Sequence, residues 1–271
     1  INICNRKGYT VIRGLYTAAT GMNSMQHQID VTSNNIANVN TTGFKQDRAE
    51  FQDLMYETLN YTAGQTSQTT INPTGIDVGL GVRVSGIQKN FSEGDLKLTS
   101  NTLDLAIEGK GFFQIELPSG ETAYTRNGAF KLNAEGMVVN SSGYPLVPNI
   151  VIPEGAKNVS IGKDGLVSYT DGAGVTAGGE QITVTDFINP AGLIPMGGSL
   201  FMQSDASGDA LEGNPTEEQF GAIQQGMIEL SNVKLVNEMV DLITAQRAYE
   251  ANSKAITTAD SMLDTVNRLK S

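Results

Sequence analysis

The stretch LVNEMVDLITAQRAYEANSKAITTADSMLDTV, residues 235–266, decides how the rest of the chain is read. Leu235, Leu242, Tyr249, Ile256 and Leu263 recur every seven residues, with Met239, Ala245, Ala259 and Val266 beside them. Apolar residues on that period keep to one side of a helix, and that side needs a second helix to cover it. The other end of the chain carries a matching pattern. Leu15, Ala18, Met22, Met25, Ile29, Thr32, Ile36 and Val39 follow one another at spacings of three and four. Both seams are rich in small or flexible side chains (Ala18, Ala19, Met22, Met25, Ala245, Ala259), which suit close packing with adaptable contacts. A chain whose two ends both want a helical partner reads as a building block, not a catalyst.

Working inward from the start, residues 1–10 show no periodicity. They are expected to be an upstream extension, with Val11 as the initiator. The first helix is expected over about Ile12 to Asn40, about 43 Å at the α-helical rise, with Gly43 closing it at C′. A short helical stretch is expected over Gln46–Leu59. Asn60–Gly75, rich in Thr, Gln, Ser and Asn, reads as extended and poorly packed. From Val78 to Gln225 the period drops to two, as in Val82, Val84 and Ile87, and most of the 30 glycines fall here. Asn127-Gly128 between Tyr124-Thr125-Arg126 and Ala129-Phe130-Lys131-Leu132 predicts a tight hairpin. Glu135-Gly136, Ser142-Gly143 and Lys163-Asp164-Gly165 predict further turns, and Ser204–Glu218 a polar loop. The last helix is expected to be capped by Ser231 or Asn232 and to reach about Lys270. Glu250–Lys254 and Asp264–Arg268 would support it as i,i+4 pairs.

The fold class is therefore α+β: long N- and C-terminal helices pairing in a coiled-coil-like manner, with a central antiparallel all-β body. The expected divisions are 1–10, the extension; 11–45, the N-terminal helix; 46–80, a linker with a short helix; 81–226, the β domain; and 227–271, the C-terminal helix.

A formal charge of −11 argues against a nucleic-acid partner. One Cys excludes an internal disulfide framework, and one His excludes histidine metal clusters and weakens any Ser-His-Asp reading. No apolar run reaches the length of a membrane span, and no secretory signal is apparent. His27 lies off the N-terminal seam and reads as exposed or subunit-facing. Gly79-Leu80-Gly81 and Gly109-Lys110-Gly111 lack the spacing and the following helix of a phosphate loop. Asp205, Asp209 and Glu212 do not fit calcium-loop spacing. Asn140-Ser141-Ser142 and Asn158-Val159-Ser160 are formal sequons at expected turns. Nothing marks a pair of carboxylates for glycoside hydrolysis. No catalytic, cofactor or metal site is expected.

Three stretches carry a family resemblance. Residues Ile36-Ala37-Asn38-Val39-Asn40-Thr41-Thr42-Gly43-Phe44-Lys45 resemble the N-terminal signature of the bacterial flagellar rod and hook proteins. Residues 238–254, EMVDLITAQRAYEANSK, resemble their C-terminal signature, and Gly111-Phe112-Phe113 with residues 124–130, YTRNGAF, resembles their β domain. Within that family the opening residues 12–22 and the length are most similar to subunits of the distal rod, with the proximal rod and the hook as alternatives. The resemblance implies a helical homopolymer whose terminal helices form an inner tube (D0) around an export channel. It implies export by the flagellar type III apparatus without a cleavable signal. It also implies a place in the periplasmic part of the basal body, next to proximal rod proteins, the hook protein, and the P-ring and L-ring proteins. No nucleic acid and no membrane insertion are implied. The residues expected to meet neighbouring subunits are Leu15, Met22, Ile29, Ile36, Asn38, Gly43 and Phe44 from the first segment. From the last they are Leu235, Met239, Leu242, Tyr249, Ile256 and Leu263.

Overall fold

A computed structural model describes residues 3–60, 65–67, 70–71, 75–153, 155–170, 176–217 and 219–270. The chain divides into two compact units. The first contains helix α1 (Ile3–Ala37) as far as Ile36, the segment from Asp47 to Gln88, and helix α2 (Leu235–Lys270). The second contains Ala37–Gln46 and Lys89–Lys234.

In the first unit both long helices are present, with shifted ends. Helix α1 begins at Ile3 instead of Ile12, since adding residues to an existing helix costs far less than starting one. It ends at Ala37, so Gly43 does not close it at C′. Helix α2 begins at Leu235, beyond both expected caps, Ser231 and Asn232.

The stretch expected as a short helix, Gln46–Leu59, is strand. Asp47–Asp53 pairs with Val82–Lys89. Tyr56–Asn60 pairs antiparallel with Ile76–Gly79, Tyr56 opposite Gly79 and Glu57 opposite Val78. The apolar set Phe51, Leu54, Met55 and Leu59 has a helical spacing, but Arg48, Ala49, Glu50 and Phe51 also alternate. A strand rich in Val and Ile thirty residues downstream supplies the ladder that settles the conflict. The Arg83 guanidinium donates to Gln52 Oε1 at 2.8 Å across the pair. Of the stretch expected as extended, Asn60–Gly75, Gln65–Ser67 and Thr70–Ile71 form a small antiparallel pair. Residues 61–64, 68–69 and 72–74 lie outside the described residues.

The second unit is the expected antiparallel β body. Its largest sheet runs, in order, Leu146–Val147, Phe113–Glu116, Thr122–Thr125, Leu200–Met202 and Ile194–Gly197. Strand alternation sends successive side chains to opposite faces. Phe113, Ile115, Ala123 and Leu200 join the main core with Leu105, Ile107, Phe130, Leu146 and Ile223. Phe112, Tyr124 and Phe201 join Phe187, Leu193 and Phe91 in a separate aromatic cluster. There the ring centroids of Tyr124 and Phe187 lie 4.8 Å apart, edge to face, an arrangement worth about 0.5–1.5 kcal/mol beyond its buried area.

The hairpin expected at Asn127-Gly128 does not form. Thr122–Thr125 pairs with Phe113–Glu116 and Leu200–Met202, while Lys131–Leu132 pairs with Val138–Val139. The glycine serves a close approach instead: a Cβ on Gly128 would sit 1.6 Å from the Leu105 carbonyl oxygen. The turns at Glu135-Gly136, Ser142-Gly143 and Asp164-Gly165 are as expected, each glycine having positive φ.

Candidate functional site

Helix α1 buries Ala18, Ser24, Val31, Thr32 and Asn35. The expected seam residues Leu15, Met22, Ile29 and Ile36 flank that stripe and are half-buried. Helix α2 buries Glu238 and Ala245, with Asn252 and Ala259 half-buried on the same seven-residue column. The column expected to be the seam lies beside it: Leu242, Ile256 and Leu263 are half-buried, and Leu235, Met239 and Tyr249 are exposed. Val236, Val240, Ile243, Met262, Val266 and Leu269 are exposed as well. The surface of α2 thus carries more apolar area than the unit covers.

Contacts between described residues of α1 and α2 include Asn35 with Glu238 and Gly21 with Asn252. Asn35 Nδ2 donates to Glu238 Oε2 at 3.2 Å. A Cβ on Gly21 would lie 2.9 Å from Asn252 Nδ2, so glycine allows a close approach there. The two contact points are fourteen residues apart on each helix and run in opposite directions along the chain. Asn35 also holds the start of the first strand, accepting from Asp47 N at 2.9 Å and donating to Asp47 O at 2.8 Å. On the outer surface of α2, Glu250 accepts from Arg247 at 3.1 Å.

In the second unit, three separated segments converge on Glu229. The Lys45 ammonium donates to Glu229 Oε1 at 2.6 Å and to Ser92 O at 2.7 Å. Gly94 N donates to the same Oε1 at 2.9 Å. The Arg126 guanidinium lies 3.4 Å from Glu229 Oε2 and also donates to the carbonyls of Ile107, at 3.1 Å, and Gly109, at 2.5 Å. The side chains of Lys45 and Glu229 are fully buried. Burial is the largest influence on both cations and lowers both pKa values, and the Glu229 carboxylate opposes it. Arg126 also stands over the Phe112 ring, 5.6 Å from its centroid.

The backbone is fastened around this cluster. Gly43 N donates to Glu229 O at 2.9 Å, and Gln46 N to Asn232 Oδ1 at 2.8 Å. Asn232 Nδ2 donates to Asn90 O and Ser92 O. Asn232, one of the two side chains expected to cap α2, is therefore engaged elsewhere. Gly43 has φ +67°, and a Cβ there would lie 2.6 Å from Asn127 N. Of the signature residues expected at a subunit boundary, Gly43 is buried and Asn38 and Phe44 are half-buried. Phe44 lines an open groove of about 460 Å³ with Asn38, Thr41 and Pro195, and the Lys89 ammonium stands 5.2 Å from its ring centroid. Asn35 and Glu229 were not named in the sequence, Lys45, Arg126 and Glu238 were quoted only as parts of signatures, and Asn232 was expected only as a cap. Most of them fall within or next to the quoted signatures, but only long-range pairing reveals buried charge.

The other candidates gain no chemistry. His27 is exposed. Gly109-Lys110-Gly111 leads into a strand. Among the described residues no group of His, Cys, Asp and Glu could hold a metal ion, and no helix is long and apolar enough to cross a membrane.

One unit carries a buried ionic knot in a β body and the other carries helices with uncovered apolar surface, features that suit a structural subunit. Residues 15–45 match the family described as flagella basal body rod protein, 106–169 the flagellar hook protein FlgE/F/G D1 domain, and 224–269 the flagellar basal body rod FlgEFG protein C-terminal region. The chain is 47% identical to flagellar basal-body rod protein FlgG of Caulobacter vibrioides, over 96% of this chain and all of that one. It is 44% identical to FlgG of Borreliella burgdorferi, over 96% and 99%. It is 31% identical to the flagellar hook-basal body complex protein FlhP of Bacillus subtilis, over 96% and 100%. A solved structure, the Helicobacter pylori flagellar hook protein FlgE2, is 17% identical with a TM-score of 0.24, covering 68% of this chain and 43% of that one. The chain belongs to the flagellar basal-body rod and hook protein family, and it is a structural protein, not an enzyme. Lys45, Arg126 and Glu229 each come from a different one of the three matched stretches.

Proposed function

We propose that this chain is the structural subunit of the flagellar distal rod, polymerising into a rigid hollow shaft that transmits torque across the periplasm to the hook. The observation that carries this reading is identity of 47% to a basal-body rod protein over essentially the full length of both chains. The terminal helices would pair as a coiled-coil-like inner layer (D0) around an export channel. Contacts fourteen residues apart on both helices fit a heptad seam. The uncovered apolar residues of α2 would be buried by neighbouring copies, with Leu15, Met22, Ile29, Ile36, Leu235, Met239, Leu242, Tyr249, Ile256 and Leu263 at or beside those contacts, and Asn38, Gly43 and Phe44 near them. A head-to-tail contact that does not close into a ring gives an open helical filament. The subunit would travel through the type III export apparatus without a cleavable signal and meet proximal rod proteins, the hook protein and the P-ring and L-ring proteins.

Expression of this chain in a strain lacking its own FlgG tests the reading. Restored motility and hook-basal bodies with a full-length rod are expected. Basal bodies that still end before the distal rod would refute it. The 31% identity to FlhP keeps a second axial position in view. Rescue of a strain lacking another rod or hook subunit, and not of one lacking FlgG, would favour that position.

A further inference from the structure

We propose that the Lys45–Glu229–Arg126 cluster is a positioning clamp that sets, in the free subunit, where the chain leaves the β body toward each terminal helix. The inference rests on the rod reading for its purpose, but its geometry belongs to the second unit alone. Residues 41–46 follow the end of α1, and residues 229–232 precede the start of α2. These two exits are tied to each other directly by Gly43 N to Glu229 O, Gln46 N to Asn232 Oδ1 and Lys45 Nζ to Glu229 Oε1. A third segment locks them. Ser92 O accepts from both Lys45 and Asn232, and Gly94 N donates to Glu229. Arg126 fixes the other carboxylate oxygen and anchors the knot to the body through Ile107 O and Gly109 O.

The groups are chosen for direction more than for burial. An apolar cluster could fill the same volume, but it would tolerate sliding. A buried carboxylate that takes both oxygens' partners from defined donors has one favourable register. Each family-matched stretch contributes one charged member. The clamp therefore closes only when the N-terminal stretch, the body and the C-terminal stretch are all in place. A subunit that must add to a helical polymer in one orientation needs its two helix exits fixed before a neighbour can capture the helices.

The test uses the full chain with Cys4→Ser, so that labels report only from Ala37→Cys and Lys234→Cys, both exposed. Spin-label distance distributions are measured on the dilute monomer. The parent should give one narrow peak. Lys45→Met keeps the length of the stem and removes the charge. Asn232→Ala removes the half-buried rung between Gln46 and Ser92. Both should lose the narrow peak while the β body keeps its thermal transition, and both should fail to complete rods. If Lys45→Met does not fold, Asn232→Ala decides. A broad distribution in the parent, or a narrow peak unchanged in the folded variants, would overturn the proposal even if motility were lost. Failure of the rod reading is visible separately, as a parent chain that does not rescue the FlgG-lacking strain yet still shows the narrow peak and its loss.

Discussion

The unit of residues 89–234 buries Leu105, Ile107, Phe113, Ile115, Phe130, Leu146 and Ile223 in one continuous core and adds an aromatic cluster on the other face of its main sheet. The unit containing α1 and α2 buries chiefly small or polar groups on its helices, Ala18, Ser24, Val31, Thr32, Asn35, Glu238 and Ala245. It leaves Met239, Val240, Ile243, Met262, Val266 and Leu269 exposed. The body of residues 89–234 also exposes single apolar side chains such as Leu98 and Ile188, but it has a large apolar core, whereas the two helices bury no large apolar side chain but Val31. Burying an exposed Met, Val, Ile or Leu is worth about 1.5–3 kcal/mol. The first region has taken up most of that gain within the chain, and the second still holds it in reserve. A protein that polymerises through its ends gains from this division, because the stabilisation left over in the monomer becomes available at the subunit boundary.

The sharpest way to break the self-sufficient region is Glu229→Ala. It leaves Lys45 and Arg126 buried without the carboxylate they pair with directly, and Gly94 N without its acceptor. Removing one partner of a buried ionic pair costs about 3–5 kcal/mol. Urea or thermal unfolding of the body should show a loss of that size, and a change below about 1 kcal/mol would mean that water reaches the site. Gly43→Ala comes next. It forces a side chain into φ +67° and a contact 2.6 Å from Asn127 N. Overpacking and left-handed strain together predict a loss of about 2–4 kcal/mol.

Lys45→Met should cost less, about 1–3 kcal/mol, because Glu229 keeps Arg126 and Gly94 as partners. It should also change the response to alkali. Burial lowers the Lys45 pKa below its ordinary 10.5. Between the folded value and 10.5 the unfolded chain holds more protons, so the contribution of Lys45 to stability rises with pH there and is complete above 10.5. The difference in stability between parent and Lys45→Met should therefore move in the parent's favour through that interval. Unfolding curves taken at a series of alkaline pH values check the sign.

The same contrast explains what could be read from residues alone. Heptad spacing is a local signal, so both helices were legible, as was the all-β body, whose period-two strands and Gly turns at 136, 143 and 165 are local too. Gln46–Leu59 was not legible, because its conformation is decided by a ladder to Val82–Lys89 and not by its own spacing. Asn127-Gly128 looked like a hairpin because the dipeptide tolerates positive φ. In the fold its glycine answers instead to the Leu105 carbonyl, a contact that twenty-three residues of separation hide. The heptad column Leu235–Leu263 was found, but the column buried within the unit is the neighbouring one with Glu238, Ala245 and Asn252. Hydrophobicity identifies a face that wants cover, and it does not say whether the cover is the same chain. The ionic knot was hidden for the reverse reason: Lys45, Arg126 and Glu229 look like ordinary surface charges until the three segments meet.

The smallest effect on the body, and the largest on assembly, is expected from Leu242→Asp. Leu242 is half-buried on α2, between exposed Met239 and buried Ala245, and it is not a member of the core cluster named above. A carboxylate at that position is tolerable while one side faces water. It becomes costly when a neighbouring subunit removes the water, by several kcal/mol without a partner charge, and the penalty repeats at every subunit of a polymer. The body should melt as in the parent, export should persist, and rods and motility should be lost. Secreted protein, monomer melting and swimming are measured side by side. Normal swimming would show that this column is not a subunit boundary. A lowered melting temperature of the body would show that the helices share its cooperative unit, and the division between a self-sufficient region and one in reserve would fall.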